Sequence, residues 1–385
     1  MKKSLSIYIH IPFCVRKCAY CDFLSAPATA EVQEQYLHML IREIRESAVR
    51  YAKDYIVETI YIGGGTPTSV NADLLCRMLE TLKGVFEVSE QAEISMECNP
   101  GTASKDNLQK YLDAGINRLS IGLQSTQDHL LKKLGRIHTY KQFLETYRDA
   151  REAGFANINI DLMSALPGQT LADYEQTLKD VLALQPEHIS AYSLIVEEGT
   201  PFYDMELDLP DEDTERAMYE LTERMLLEQG YYRYEISNYA LKGRECKHNQ
   251  VYWQRGEYLG LGLGASSFMR FSWEEPERFP YEKEVRFKNN HNLETYLQGD
   301  FSHVEELVLT RREAMEEFFF LGLRQMQGVC LIEFAEQFGE DTIEWFEEPI
   351  AQNRKDGLLE REGPRLRLTP KGIDVSNVVF ERFLE

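Results

Sequence analysis

Between Leu5 and about Glu198, short apolar runs alternate with amphipathic stretches of helical period, the signature of repeated βα units around a parallel sheet. The strand candidates are SIYIHI, ETIYIG, EISMEC, RLSIGL, NINIDLM and HISAYSLI. Each is rich in β-branched or aromatic residues and is followed by turn chemistry. Helices are expected over 31–53, 71–84, 104–114, 140–153 and 171–184. Gly115, Gly154 and Pro186 stand where such helices stop, and Asp, Ser, Asn or Thr where they start. Six units make an open, partial (β/α)6 TIM-like barrel in the α/β class.

The 385 residues exceed what one core usually fills, so a smaller domain should follow the barrel. We expect the barrel over 1–210, a segment over 211–305 that breaks the alternation and closes the barrel's open edge, and a C-terminal domain over 306–385. The last region reads as helices, the hairpin LLEREGPRLRLT and a final helix, a small α+β winged-helix-like module. Its stretch LIEFAEQFGEDTIEWFEE is acidic where a DNA-reading helix needs Arg or Lys. The whole chain has 42 basic and 64 acidic residues, a net charge of −22, which repels nucleic-acid phosphates and anionic lipid. MKKSLSIYIHIPF has no cleavage site, and no run approaches the roughly 18 to 20 apolar residues of a membrane span. The expectation is a cytoplasmic protein with no nucleic-acid partner, whose membrane contact is peripheral and made through a partner. A homodimer is left open.

Three of the seven cysteines, Cys14, Cys18 and Cys21, lie within eight residues. In a chain without a secretion signal this crowding points to a metal site rather than disulfides. The cysteines follow the first strand, on the loop where barrel enzymes keep their chemistry. Three thiolates on a four-iron cubane leave one iron open to a ligand that is not protein. The rival is zinc, which needs a fourth ligand such as His10 or Asp22. The second strand runs into Gly63-Gly64-Gly65-Thr66-Pro67, where the missing side chains let backbone approach a ligand; no Gly-Lys-Ser/Thr follows, so this is not a P-loop. Glu97, Gln124 and Asp161 recur near successive strand ends, and Arg136 in LGRIH would alone be read as a solvated helix residue.

HIPFCVRKCAYCDF resembles the defining motif of the radical S-adenosylmethionine (SAM) superfamily. The resemblance implies a 4Fe-4S cluster on Cys14, Cys18 and Cys21, whose open iron chelates SAM and whose electron cleaves it to a deoxyadenosyl radical. The glycine triplet resembles the family element that meets the SAM amino group. The likeness extends through LGLGASSF to the C-terminal module and is strongest to the oxygen-independent coproporphyrinogen III dehydrogenase branch. It implies that Tyr8, Gly64 and Glu97 contact the cluster-bound SAM, and that Tyr20, Gly65, Thr66, Gln124, Arg136 and Asp161 line a second SAM position. Phe268 matches an apolar residue near the first SAM, or is simply core.

Two departures weigh against dehydrogenase activity. Phe23 stands where those enzymes carry a further cysteine, and the chain begins almost at the first strand, so we expect it to lack their N-terminal extension. One element points elsewhere: His248-Asn249-Gln250-Val251-Tyr252-Trp253 resembles the HNxxYW signature of the radical SAM haem chaperones. That likeness implies haem as cargo, delivered to haem-dependent respiratory proteins. His248 could ligate iron while Tyr252 and Trp253 pack on the porphyrin and Asn249 assists, or His248 is a structural residue beside an aromatic pair. Cys246 does not form C-x-x-C-H but could still be a ligand. Cys76, Cys98 and Cys330 read as buried small hydrophobes. The competing function is radical decarboxylation of coproporphyrinogen III; radical methylation would use the same paired SAM sites but gains nothing from HNxxYW.

Overall fold

The computed structural model describes residues 2–271 and 283–384. Strands β1 (Lys3–Ile11), β2 (Tyr55–Gly64), β3 (Val88–Cys98), β4 (Arg118–Gln124), β5 (Ile158–Ser164) and β6 (His188–Ser193) lie side by side in chain order, all parallel. Every residue of β4 is buried, as expected of a central parallel strand covered on both faces. The helices between them, Ala30–Tyr51, Ala72–Val85, Lys105–Asp113, Tyr140–Ala153 and Leu171–Leu182, match the sequence periodicity within two residues or so. Their starts are held by side-chain caps from Thr29, Asn71, Ser104, Thr139 and Thr170, each worth about 1 kcal/mol. Gly154, at φ 112°, ends the fourth in the left-handed conformation.

The segment 211–305 does not close the barrel. It is shared between the two edges: β7 (Tyr232–Glu235) and β8 (Asn238–Ala240) extend the sheet antiparallel beyond β6, and β9 (Tyr258–Leu261) pairs parallel with β1. The antiparallel strands β10 (Ser266–Phe271), β11 (Lys283–Asn289) and β12 (His303–Val308) then continue outward. The resulting 12-stranded sheet runs from β12 to β7 and stays open. Each raw edge of the parallel sheet finds its own partner, β8 antiparallel on β6 and β9 parallel on β1, which satisfies its backbone without bringing the two edges together. Between β8 and β9 the helix Lys247–Trp253 packs against β2.

The C-terminal region has its own core. Helices Arg311–Gly322, Leu331–Phe338 and Glu347–Lys355 surround a small sheet of β13 (Val329–Cys330), β14 (Leu359–Glu362) and β15 (Arg365–Leu368) in the order β13-β15-β14, a winged-helix arrangement. A buried ion network joins it to the large sheet: Arg286 meets Glu317 at 2.8 Å, and Arg255 pairs with both Glu284 and Glu317. Among the described residues no helix is long and apolar enough to cross a membrane.

Candidate metal and cofactor centre

The loop after β1 is closed at its base by Cys14 N donating to Ala26 O (3.2 Å) and Ala26 N to Pro12 O (3.0 Å). Its far side is tied to the segment after β4, with Ala19 N donating to Leu134 O at 3.0 Å and Arg16 Nη2 to Gly135 O at 2.6 Å. Cys14, Cys18 and Cys21 are all free thiols and partly exposed. The Thr66 hydroxyl donates to Cys14 Sγ (3.5 Å) and Arg136 Nη1 to Cys18 Sγ (3.8 Å). Asn99 bridges these two helpers, giving Nδ2–H to Thr66 Oγ1 (2.7 Å) and accepting from Arg136 Nη2 (3.0 Å). Arg136 also reaches Gly122 O at 2.5 Å, so it is turned inward rather than solvated.

This donor set fits a cubane. A hydroxyl and a cation hydrogen-bond two of the sulfurs, and a cubane takes each cysteine sulfur on a different iron. A single zinc ion would need a fourth ligand beside the three cysteines. His10 is unavailable as a fourth ligand. Its Nδ1 meets the Tyr8 hydroxyl at 2.9 Å and its Nε2 meets Leu24 O at 2.8 Å.

Glu97 faces inward from the end of β3. Its Oε2 accepts from Gly64 N–H (3.0 Å) and its Oε1 from the Tyr61 hydroxyl (3.2 Å). Burial, and next the charge of Asp161, push its carboxyl up to about 7. Asp161 is raised as well, chiefly by burial, and accepts from Asn159 Nδ2 (2.7 Å) and Ser120 Oγ (3.3 Å). The glycine triplet is packed by the chain itself. A Cβ on Gly63 would stand 2.8 Å from Glu97 Oε1, and one on Gly65 would stand 2.5 Å from the Phe13 carbonyl oxygen. Gly65 N and Thr66 N donate to Ile11 O (2.8 Å) and Phe13 O (2.7 Å), so the triplet clamps the root of the cysteine loop.

Gln124 ends β4 at φ 70°, a left-handed conformation costing of order 1 kcal/mol or more that tends to mark functional sites. Its Oε1 accepts from the Tyr192 hydroxyl at 3.2 Å. Tyr20, on the cysteine loop, has its phenol raised by burial and lies close enough to Arg136 to feel its charge. Phe268 is fully buried on β10 under the guanidinium groups of Arg286, Arg270 and Arg255 at 4.7, 5.1 and 5.5 Å.

The HNxxYW residues fold as one helix, Lys247–Trp253, and point in two directions. His248, 1% exposed, turns into the barrel, where Nδ1 meets Thr59 Oγ1 (2.7 Å) and Nε2 the Tyr252 hydroxyl (2.8 Å). Burial lowers its pKa to about 3. Trp253 faces the C-terminal domain, its ring 4.7 Å beneath the Arg324 guanidinium, and Asn249 is partly exposed. Cys246 is buried, its Sγ 3.5 Å from Glu93 Oε1. Cys98 and Cys330 are buried, but Cys76, on an outer helix beside Lys110 O, is partly exposed.

Sequence reasoning missed Tyr61, Thr59, Glu93 and Asn99. A signal existed for the first three. Thr59, Tyr61 and Gly63 on β2, and Glu93, Ser95 and Glu97 on β3, recur at the two-residue period that puts them on one strand face. In a strand otherwise apolar, such a polar row marks the barrel interior.

Residues 8–181 match the radical SAM superfamily, and residues 309–375 match the HemN C-terminal domain. Heme chaperone HemW of Lactococcus lactis is 36% identical over 390 residues, covering 100% of this chain and 98% of that protein. Heme chaperone HemW of Escherichia coli is 35% identical over 384 residues, covering 99% of this chain and 98% of that protein. The solved structure of coproporphyrinogen III oxidase (HemN) from Escherichia coli superposes with a TM-score of 0.84 at 25% identity, covering 99% of this chain and 90% of that one. With its three-cysteine loop, partial barrel and C-terminal module, the chain belongs to the radical SAM superfamily and, within it, to the HemW family.

Proposed function

We propose that this protein is a cytoplasmic haem carrier that delivers haem to haem-dependent acceptors, respiratory proteins among them. In this reading Cys14, Cys18 and Cys21 hold a 4Fe-4S cluster, and Tyr8, Gly64 and Glu97 hold SAM. The observation that carries the proposal is the full-length relation, at 35% and 36% identity, to proteins named as haem chaperones. The site's surface supports it. Val15, Phe23 and Ile137, 60, 59 and 46% exposed, flank the cysteines, and Val15 and Ile137 line one hollow with Cys18. Such an apolar rim suits the flat face of a porphyrin, and the neighbouring cations Arg16 and Lys17 suit its propionates.

Bound together, the cluster and SAM supply one-electron chemistry; the chain's own part is placement. Glu97, partly buried, offers a carboxylate to the SAM ammonium, and Thr66 and Arg136 hold two sulfurs by hydrogen bonds. Tyr20, Gly65, Gln124 and Asp161 complete the surroundings in which a second SAM would lie. Thr66 and Arg136, drawn to the sulfurs, fit service to the cluster better than to that second molecule.

Anaerobic haem titration of cluster-reconstituted protein, beside an assay with coproporphyrinogen III, SAM and a strong reductant, tests the proposal. A saturating Soret change without product supports the carrier. The second reading, a coproporphyrinogen III dehydrogenase, is favoured by the likeness to coproporphyrinogen III oxidase, and formation of protoporphyrinogen would decide for it.

A further inference from the structure

We infer that His248 is a positioning residue for the Glu97 carboxyl, acting through Tyr61, and that the HNxxYW helix is an internal strut rather than a source of a haem-iron ligand. The inference rests on the proposal that Glu97 meets SAM. Its geometry is a continuous chain of contacts. The helix start is fastened by Glu93, which accepts from Lys247 N (3.0 Å) and His248 N (3.2 Å). The His248 ring then stacks on Tyr61, centroids 5.3 Å apart and planes 28° apart, and the Tyr61 hydroxyl donates a hydrogen bond to Glu97 Oε1 at 3.2 Å. Tyr61 also stacks with Tyr8, ring centroids 6.3 Å apart.

Proton placement along the chain is self-consistent. Thr59 Oγ1 donates to Ser6 Oγ at 2.7 Å, which leaves its lone pairs for an N–H on His248 Nδ1. The Nε2 lone pair then accepts from the Tyr252 hydroxyl. The tautomer is assigned from these partners. Residues 248 and 252 share one helix face by their i, i+4 spacing, while 253 falls on another and reaches Arg324, so the motif braces the barrel interior against the C-terminal domain. Iron ligation at Nε2 would require the Tyr252 hydroxyl to leave and the imidazole to emerge from full burial.

The test uses the full-length, cluster-reconstituted protein as wild type and as Tyr61→Phe, His248→Asn and His248→Ala. SAM affinity is measured by equilibrium binding, the cluster by its electron paramagnetic resonance change on adding SAM, and haem affinity by Soret titration. Tyr61→Phe keeps the ring stack and removes only the hydroxyl. We expect it to weaken SAM binding about 10- to 150-fold, the scale of one hydrogen bond to a charged group. His248→Ala should do at least as much, with partial rescue in His248→Asn, which retains an N–H for Thr59. Cluster content and haem affinity should stay within about twofold. Lost haem affinity with intact SAM binding in either His248 variant overturns the inference and makes His248 a haem ligand. Unchanged SAM affinity in Tyr61→Phe also overturns it, and this variant carries the test if His248→Ala fails to fold. A wild-type protein with a full cluster and no SAM binding fails at the earlier step, the proposed function itself.

Discussion

Around His248 the barrel interior is lined by Ser6, Thr59, Glu93, Asn159 and His188, all buried and tied to one another or to neighbours by side-chain hydrogen bonds. Around Phe319 the C-terminal core is dry and aromatic, with Phe383, Phe346 and Phe334 at 4.7, 4.7 and 5.1 Å between ring centroids. Dispersion and hydrophobic burial are non-directional, so the second interior is stable without defining any one atom's place closely. The hydrogen bonds of the first contribute little net stability and cost much when one partner is lost, but they fix positions. The molecule thus spends packing on a domain that must be firm and polar networks where a carboxyl has to be aimed.

The sharpest way to break that contrast is Phe319→Ala. It should cost about 3–5 kcal/mol in urea unfolding while leaving SAM affinity unchanged; a loss under about 1 kcal/mol would mean the aromatic core is not closely packed. Glu43→Gln probes a second polar site, where the barrel meets β9–β11. Glu43 is buried and accepts from the Tyr296 hydroxyl (2.6 Å), Asn289 Nδ2 (2.8 Å) and Gly262 N (2.9 Å). Burial raises its carboxyl to about 7 from an unfolded value of 4.5. The folded state therefore holds the proton longer, and the stability this group contributes is present below pH 4.5 and lost as pH rises through 7. Between pH 5 and pH 8 the wild type should lose roughly 2 to 3 kcal/mol on this account, a slope that Glu43→Gln removes. An identical slope in the variant would refute the assignment.

Thr59→Val should cost about 1–3 kcal/mol, because Ser6 and His248 each lose a buried partner while volume is kept. A neutral result would show that the network is slack. Ile332→Gln, on the exposed face of the C-terminal domain, should change stability by less than about 0.5 kcal/mol and supplies the baseline.

Much of the frame was legible in the chain. The six parallel strands follow from period and turn residues, and the caps from Thr, Ser and Asn before each helix. The cysteine spacing and the glycine triplet pointed to the site, although the triplet turned out to be filled by His10, Glu97 and the Phe13 carbonyl rather than left open. Residue type alone would leave Arg136 solvated and only the family resemblance drew it to the site, because nothing local shows that its guanidinium reaches Gly122, Asn99 and Cys18. The fate of 211–305 was illegible for the same reason: a strand's partner is set by which raw edge it meets, not by its own composition.

Residue order by itself determined the six βα units and the loop that gathers Cys14, Cys18 and Cys21, since each depends on neighbours a few positions apart, whereas HNxxYW, left without an element, forms the helix Lys247–Trp253. Only the tertiary structure decided that this helix turns inward, that Tyr61 joins His248 to Glu97, and that Asn99 ties Thr66 to Arg136 beside two of the cysteines. These are contacts between residues 36, 33, 37 and 187 positions apart in the chain, and burial in a shared interior, with every polar group there needing a partner, is what selects them.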